Sequence, residues 1–429
     1  MAGWLFKNLR FNEYVRNFTA LAGSEIIAQV ILVGVTPLLT RIYTPFIFGQ
    51  YEFFKSSALL LVVIGFLNYD ACIYTSKSGK ERISSIVLSA IILTVICLIA
   101  SVALFLFNDD FVRVSGSEIE EGWFWSLPLY AFFTALTNLM LVVLTKSGSF
   151  KLLSRIKIVV SLLVASTQLL FGWLSLGYWG LVYSTIVVQF IAFVLYARPF
   201  FREVRSQGHE LTKESIVSVL SVHWRLPALV LPGNFLNNVV QVIPVFFLGK
   251  MDSQLLGYYG LAKRIIDFPL TFVTSAVQKL YVKELTDEIQ MYGTAKRIYL
   301  KNLKIFGFVA VVLYIGIFLL TRPIVPLLFG DEWLPAVPFI LILGFLFSVR
   351  FVFGGLSFIM ILGRAPKFAL LWQAFFGLAM TGIFVFCIEY GISSINTIFL
   401  YSLLGSACYV LYGILSYSVA KSKNLLNVR

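Results

Sequence analysis

The run Ile83–Phe107, ISSIVLSAIILTVICLIASVALFLF, contains no charged side chain. It exceeds the roughly 20 apolar residues that a helix needs to cross the hydrocarbon core of a bilayer. Runs of this kind recur along the whole chain. Of 429 residues 59% are hydrophobic and only 13% charged, with a mean hydropathy of +0.89. Soluble domains carry about 25% charged residues, so an ordinary cytosolic enzyme is excluded. Aromatics make up 16%, with 41 Phe, which suits lipid-facing helices. The sequence predicts an all-α polytopic membrane protein.

Working outward from that run, twelve spans are predicted, at about 18–40, 52–74, 83–107, 124–145, 158–175, 178–197, 226–248, 255–277, 303–328, 336–360, 367–388 and 395–419. Only Ser175–Gly177 separates the fifth from the sixth. Loop charge sets orientation. Of 34 Lys and Arg, only Arg41, Lys55, Arg113, Lys250 and Arg322 fall in segments opposite the termini. Positive residues stay in the cytoplasm, so both termini are expected there, with the acidic loop Asp109–Glu121 and Asp331-Glu332 outside. The net charge of +13 is thereby explained without nucleic acid.

The polar connection Arg198–Arg225 divides the chain into two expected six-helix bundles, 1–205 and 206–429, parallel and set around a central cavity. An internal echo supports two repeats. Gly49-x-Tyr51-x-x-x-Lys55 opens the second span and Gly257-x-Tyr259-x-x-x-Lys263 opens the eighth. Parallel repeats are a transporter plan in which the substrate site lies between the halves. A second long connection is expected over Gln278–Asn302.

No P-loop, G-x-S-x-G or H-E-x-x-H is present, and an enzyme is not expected. Cys72, Cys97, Cys387 and Cys408 are scattered in or beside apolar runs and read as buried free thiols. His209 and His223 are too few for a metal centre, so no metal is expected.

Ionisable groups at membrane depth carry the information, since each costs about 2.5–3.5 kcal/mol at the centre of a span. Lys263, Arg264 and Asp267 in the eighth span stand three and four residues apart and share a helical face. One carboxylate cannot balance two cations, so either an anionic ligand or a structural ion-pair network is implied. Arg350 stands mid-span with no acid within four residues. Arg41 either joins the cationic set or snorkels to the interface, and Lys55 completes the set. Glu25 reads as an ion-coupling carboxylate or as the partner of a cation across the bundle. Asp70 and Asp267 are further charge partners. Asn234, Asn237, Asn238 and Gln241 form a polar stripe in the seventh span, lining a wet cavity or bonding between helices. Pro37, Pro227, Pro232, Pro244 and Pro269 break the first, seventh and eighth spans.

These residues resemble a known family. The stretch Thr36-Pro-Leu-Leu-Thr-Arg-Ile-Tyr-Thr-Pro-Phe-Ile-Phe-Gly-Gln-Tyr51 is similar to the first-helix signature of polysaccharide biosynthesis exporters. Arg225-Leu-Pro227, Leu231-Pro232, Leu236-Asn237 and Gly257-Tyr-Tyr-Gly-Leu-Ala-Lys-Arg264 resemble the start of their second half, and Leu328-Phe-Gly-Asp-Glu-Trp333 their Phe-Gly-x-x-Trp loop. The resemblance is to Wzx-type O-antigen flippases of the multidrug/oligosaccharidyl-lipid/polysaccharide superfamily. It implies an alternating-access flippase of the bacterial inner membrane. Its substrate would be an undecaprenyl-diphosphate-linked repeat unit, moved from the cytoplasmic to the periplasmic leaflet. Membrane potential, or antiport of H+ or Na+, would drive it without a cofactor. The lipid bilayer and the polymerase and chain-length regulator of the same pathway are the implied partners. Two alternatives stay open: a multidrug cation antiporter of the same superfamily, and a membrane polysaccharide polymerase. Deep charge that is mainly positive argues against the first, and short outward loops argue against the second.

Overall fold

The computed structural model describes residues 23–76, 78–107, 122–206, 211–362 and 366–422, so the expected outward loop 109–121 lies outside the described residues. Every element among the described residues is helical. Hydrocarbon offers no water to backbone N–H and C=O groups, and a helix closes those bonds within itself. Eleven helices among the described residues are long and apolar enough to cross a membrane, and the molecule is a multi-pass membrane protein.

The chain divides into two compact units. The first holds the described residues up to Tyr43 and those of Gln50–Asn238. The second holds Thr44–Gly49 and the described residues from Val239 onward.

The first unit contains α1 (Gly23–Ile42), most of α2 (Pro45–Ile64), α3 (Ala71–Thr75), α4 (Gly79–Leu106), α5 (Trp123–Lys146), α6 (Phe150–Trp173), α7 (Gly177–Arg205), α8 (Lys213–Val222) and the start of α9 (Leu231–Met251). α5 packs on α4 and α7, and α6 packs on α7. Ala135, Leu139, Met140 and Val143 of α5 meet Leu93, Leu153, Ile156, Ala192 and Tyr196 in the core. Ser78 caps α4 by accepting from the Glu81 N–H at 3.2 Å, satisfying one of the open donors of the first turn. Spans five and six are separate helices, α6 and α7, as the loop charges predict. Ser175 (φ 57°) and Gly177 (φ 55°) take left-handed conformations that reverse the chain between α6 and α7.

The connection expected over Arg198–Arg225 is mostly helical instead. α7 runs on to Arg205, and α8 follows, opened by a capping box between Thr212 and Ser215. Ile216 and Val219, three residues apart, give α8 an apolar stripe, which packs on Tyr69, Cys72 and Leu88. Ser84 and Ser215 hydroxyls join at 2.7 Å, and His223 Nε2 lies 3.1 Å from Glu81 Oε1. The periodicity of a short polar stretch did not reveal this partner surface.

The second unit contains the rest of α9, then α10 (Ser253–Tyr292), α11 (Lys296–Ile324), α12 (Ala336–Leu356), α13 (Phe358–Leu362), α14 (Pro366–Glu389) and α15 (Ser394–Lys421). α12 packs against α10, α11 and α15. α10, where the eighth span was expected, is not among the eleven apolar helices, and it carries Lys263, Arg264 and Asp267. It continues through most of the connection expected over Gln278–Asn302, and Gly293 (φ 65°) ends it. Glu284 pairs with Lys301 at 2.7 Å and Glu288 with Arg297 at 3.0 Å, tying α10 to α11 as an antiparallel hairpin.

Lipid tails are as apolar as Leu, so helices in a membrane associate by close contact rather than by hiding from water. The two glycines of the sequence echo supply such a contact. A Cβ added at Gly49 would run into the Ser253 carbonyl, and one added at Gly257 into the carbonyl of Pro45. The first turn of α2 thus crosses the start of α10 backbone against backbone, within the second unit. Fully buried Trp333 closes over this crossing, edge-on to Phe48 at 5.2 Å and to Tyr258 at 6.1 Å. Of the expected proline breaks, Pro37, Pro244 and Pro269 lie inside continuous helices instead. Pro227 sits in a π-helical turn, Leu226–Val230, that leads into α9, which itself contains Pro244.

Candidate functional site

The candidate cationic residues lie on α10 and α12, with α15 packed against α12. Asp252 caps α10 by accepting from the Gln254 N–H at 2.7 Å, which fixes where the helix starts and so which residues face inward. Tyr259, Lys263 and Asp267 then recur every four residues on one face. Lys263, Arg264 and Asp267 are half-buried, and each interacts with neighbouring groups. Arg350 on α12 is also half-buried, its guanidinium 5.7 Å from the ring of Phe347 one turn earlier. The groups whose charge or dipole reaches Arg350 are Tyr409, Tyr401, Asp267 and Tyr259. Arg350 makes no direct ion pair among the described residues. Asp267 therefore acts on it through space.

Among the described residues, Arg350 thus has one carboxylate and three phenols within electrostatic reach. Phenol hydroxyls donate or accept but add no negative charge of their own at neutral pH. The arrangement offers directional donors for oxygen atoms. An arginine fork suits the paired oxygens of a phosphate, and a lysine adds a point charge.

The remaining sequence candidates lie in the first unit, apart from Gln241. Glu25 is paired with Lys157 of α6. Lys55 pairs with Glu52 at 2.7 Å and lies 4.9 Å over the ring of Tyr51. Arg41 is exposed at the last turn of α1 and has interaction partners. Asp70 precedes α3 without a side-chain capping bond, beside a turn in which Leu67 (φ 46°) and Asn68 (φ 65°) are left-handed. Burial pushes the Asp70 carboxyl above its usual range. Asn234 donates to Asn68 Oδ1 at 3.1 Å, and Asn238 donates to the Asn234 carbonyl at 2.8 Å. Asn237 and Gln241 also have partners. The stripe in the seventh span therefore splits, with Asn234 tied to the turn after α2.

Tyr401 and Tyr409 were missed in the sequence. Twenty tyrosines are spread over a chain rich in aromatics, and nothing in their spacing marks these two. Among the described residues there is no group of three His, Cys, Asp or Glu placed to hold a metal ion. The four cysteines are buried and unbridged.

Solved structures with this architecture are membrane transporters. The inward closed form of the lipid II flippase MurJ superposes with a TM-score of 0.74 at 13% identity, covering 93% of this chain and 87% of that one. An inward-facing multidrug MATE transporter of the MOP superfamily gives 0.57 at 14%, covering 92% and 94%. A variant of the Vibrio cholerae MATE transporter VcmN gives 0.56 at 16%, covering 95% and 97%. The chain shares the fold of these transporters. No curated protein sequence matches the chain. The model of the family described as polysaccharide biosynthesis protein matches residues 38–338, and the chain belongs to that family.

Proposed function

We propose that the protein is a flippase that moves an undecaprenyl-diphosphate-linked O-antigen or similar polysaccharide repeat unit from the cytoplasmic to the periplasmic leaflet of the bacterial inner membrane. It works by alternating access and without a cofactor. The observation that carries this reading is Arg350 in the second unit, set among Tyr259, Tyr401 and Tyr409 with Asp267 at a distance, and with Lys263 and Arg264 on the adjoining helix. Basic groups at membrane depth fit a diphosphate headgroup and repel a cationic drug. Membership of the polysaccharide biosynthesis family supports the class of cargo. Outward movement of a dianion is favoured by an inside-negative potential, by about 2.3 kcal/mol per charge for each 100 mV. Voltage therefore supplies driving force, and H+ or Na+ antiport adds to it.

The test is reconstitution into proteoliposomes with lipid-linked oligosaccharide. Translocation is expected to accelerate when the compartment that the substrate leaves is made negative, and to fall in Arg350→Gln. Exchange of cationic dyes for protons, with no movement of the lipid, would replace the flippase reading by the antiporter one.

A further inference from the structure

The short helix α8 carries more apolar surface than its partners cover. Ile216 and Val219 pack on Tyr69, Cys72 and Leu88. Beside that packed row stands a second one. Val217 and Leu220 are 61% and 41% exposed, and Trp224, just past the cap residue His223, is 55% exposed. Residues three apart share one side of a helix, so Val217 and Leu220 form a single apolar patch, with Trp224 one turn further along the chain.

Helix lengths set the level of this patch in a bilayer. The π-helical turn Leu226–Val230 and α9 supply 5 and 21 residues, a rise of about 39 Å at 1.5 Å per residue. The hydrocarbon core takes up about 30 Å. α8 comes before these residues and is set off from them by a bend at His223 and Trp224, which leaves it in the headgroup layer. α7, with 29 residues, rises about 44 Å and carries its last turn into the same layer.

The helix ends gathered there are basic. Lys80 of α4, Arg202 and Arg205 of α7, and Lys213 and Arg225 at either end of α8 are exposed, against the exposed acid Glu214 among the described residues of these ends. Arg82 lies 3.9 Å from Glu203, and His223 lies 3.1 Å from Glu81, so the ends of α4, α7 and α8 are held side by side. Loop charge is expected to put this end in the cytoplasm, where the leaflet surface is negative. An interfacial helix buries its apolar face at the boundary of headgroups and acyl chains. Trp favours that level, and Lys and Arg reach from it to the phosphates.

We infer that α8 is an interfacial helix that docks on anionic phospholipid. Val217, Leu220 and Trp224 sink into the boundary of the cytoplasmic leaflet, and Lys213 and Arg225 recruit anionic headgroups around them. Because α8 is joined to α4 through Ser215–Ser84 and His223–Glu81, the docked lipid also fixes the level at which α4 enters the membrane. The inference goes beyond the flippase reading and does not depend on the cargo.

The test uses the full-length protein in phosphatidylcholine nanodiscs. It follows the emission of Trp224, taken as the difference between wild type and Trp224→Phe. Dibrominated phosphatidylglycerol or dibrominated phosphatidylcholine is titrated in, since acyl-chain bromine quenches an indole that it touches. Trp224 is expected to be quenched at a lower fraction of the anionic lipid than of the zwitterionic one. Lys213→Gln and Arg225→Gln should each weaken that preference about fivefold, the worth of one basic residue at an anionic surface. Arg225→Lys should keep the preference, and all three variants should melt as the wild type does. Quenching by neither lipid would show that the patch is off the bilayer and overturn the inference. Equal curves for the two lipids in the wild type, or an unchanged preference in both glutamine variants, would overturn it as well.

Discussion

Arg350 is held on a helix that packs against α10, α11 and α15, so its place is fixed by three neighbours rather than by its own long side chain. Among the described residues, the carboxylate whose charge reaches it, Asp267, acts from beyond direct contact. If phosphate completes the site, Arg350→Gln should slow flipping about 10- to 100-fold, the worth of a charge-assisted bond. Arg350→Glu should be worse, because it adds repulsion to the lost attraction. Full activity of both variants at normal protein levels would take Arg350 out of the mechanism. Lys263→Ala and Arg264→Ala should also lose export of the polymer, with Arg264→Lys partly active if the guanidinium bonds two oxygens at once. Normal export by both alanine variants would place the cationic site elsewhere than on α10.

At the scale of elements, the crossing of α2 and α10 depends on the missing side chains of Gly49 and Gly257. The atoms that an added Cβ would strike are backbone carbonyls, which cannot swing away as a flexible side chain does. Gly257→Ala and Gly49→Ala are therefore expected to lower stability by about 1–3 kcal/mol, as overpacked sites do. A melting curve in detergent checks this, and wild-type melting in both variants would show that the helices part easily. The α10–α11 hairpin carries a different signature. The hydrogen bond from Lys301, with Asn302 beside it, holds the Glu284 carboxyl below its usual range. A carboxylate so depressed stabilises the fold above its unfolded pKa, near 4.5, and that contribution fades as pH falls through the folded value. Lys301→Ala should accordingly flatten the loss of melting temperature between neutral pH and pH 4, modestly, since both side chains are more than a third exposed. An identical acid profile in the variant would assign no role to this pair.

For the whole molecule the testable matter is orientation. Reporter fusions near residues 150, 210 and 290 should read cytoplasmic, and those near 252 and 331 periplasmic. A periplasmic signal near 210 would put an odd number of crossings before it and remove the plan of two parallel six-helix repeats. α10 is the helix on which the count of crossings turns. Its charges make it the least apolar candidate, and they are also what a membrane transporter needs in its interior.

Composition and hydropathy were enough to establish a multi-pass helical protein, because each span must satisfy its own backbone, but not every boundary: the span expected at 52–74 is α2, Pro45–Ile64, and α7 and α10 run well past the ends expected for them. The split between α6 and α7 was legible in the charge distribution, since one long helix there would move every later loop to the other side. Isolated charges at membrane depth were legible too, because burying them is expensive wherever the helix lies. Their partners were not. Lys157 is 132 positions from Glu25, and Asp267 is far from Arg350 in the chain, so no periodicity within one helix links them. The same holds for α8, whose short apolar stripe gains meaning only against Tyr69 and Leu88. Local rules decide which segments become helices, but only packing decides which charge a second helix neutralises and which it leaves for a ligand.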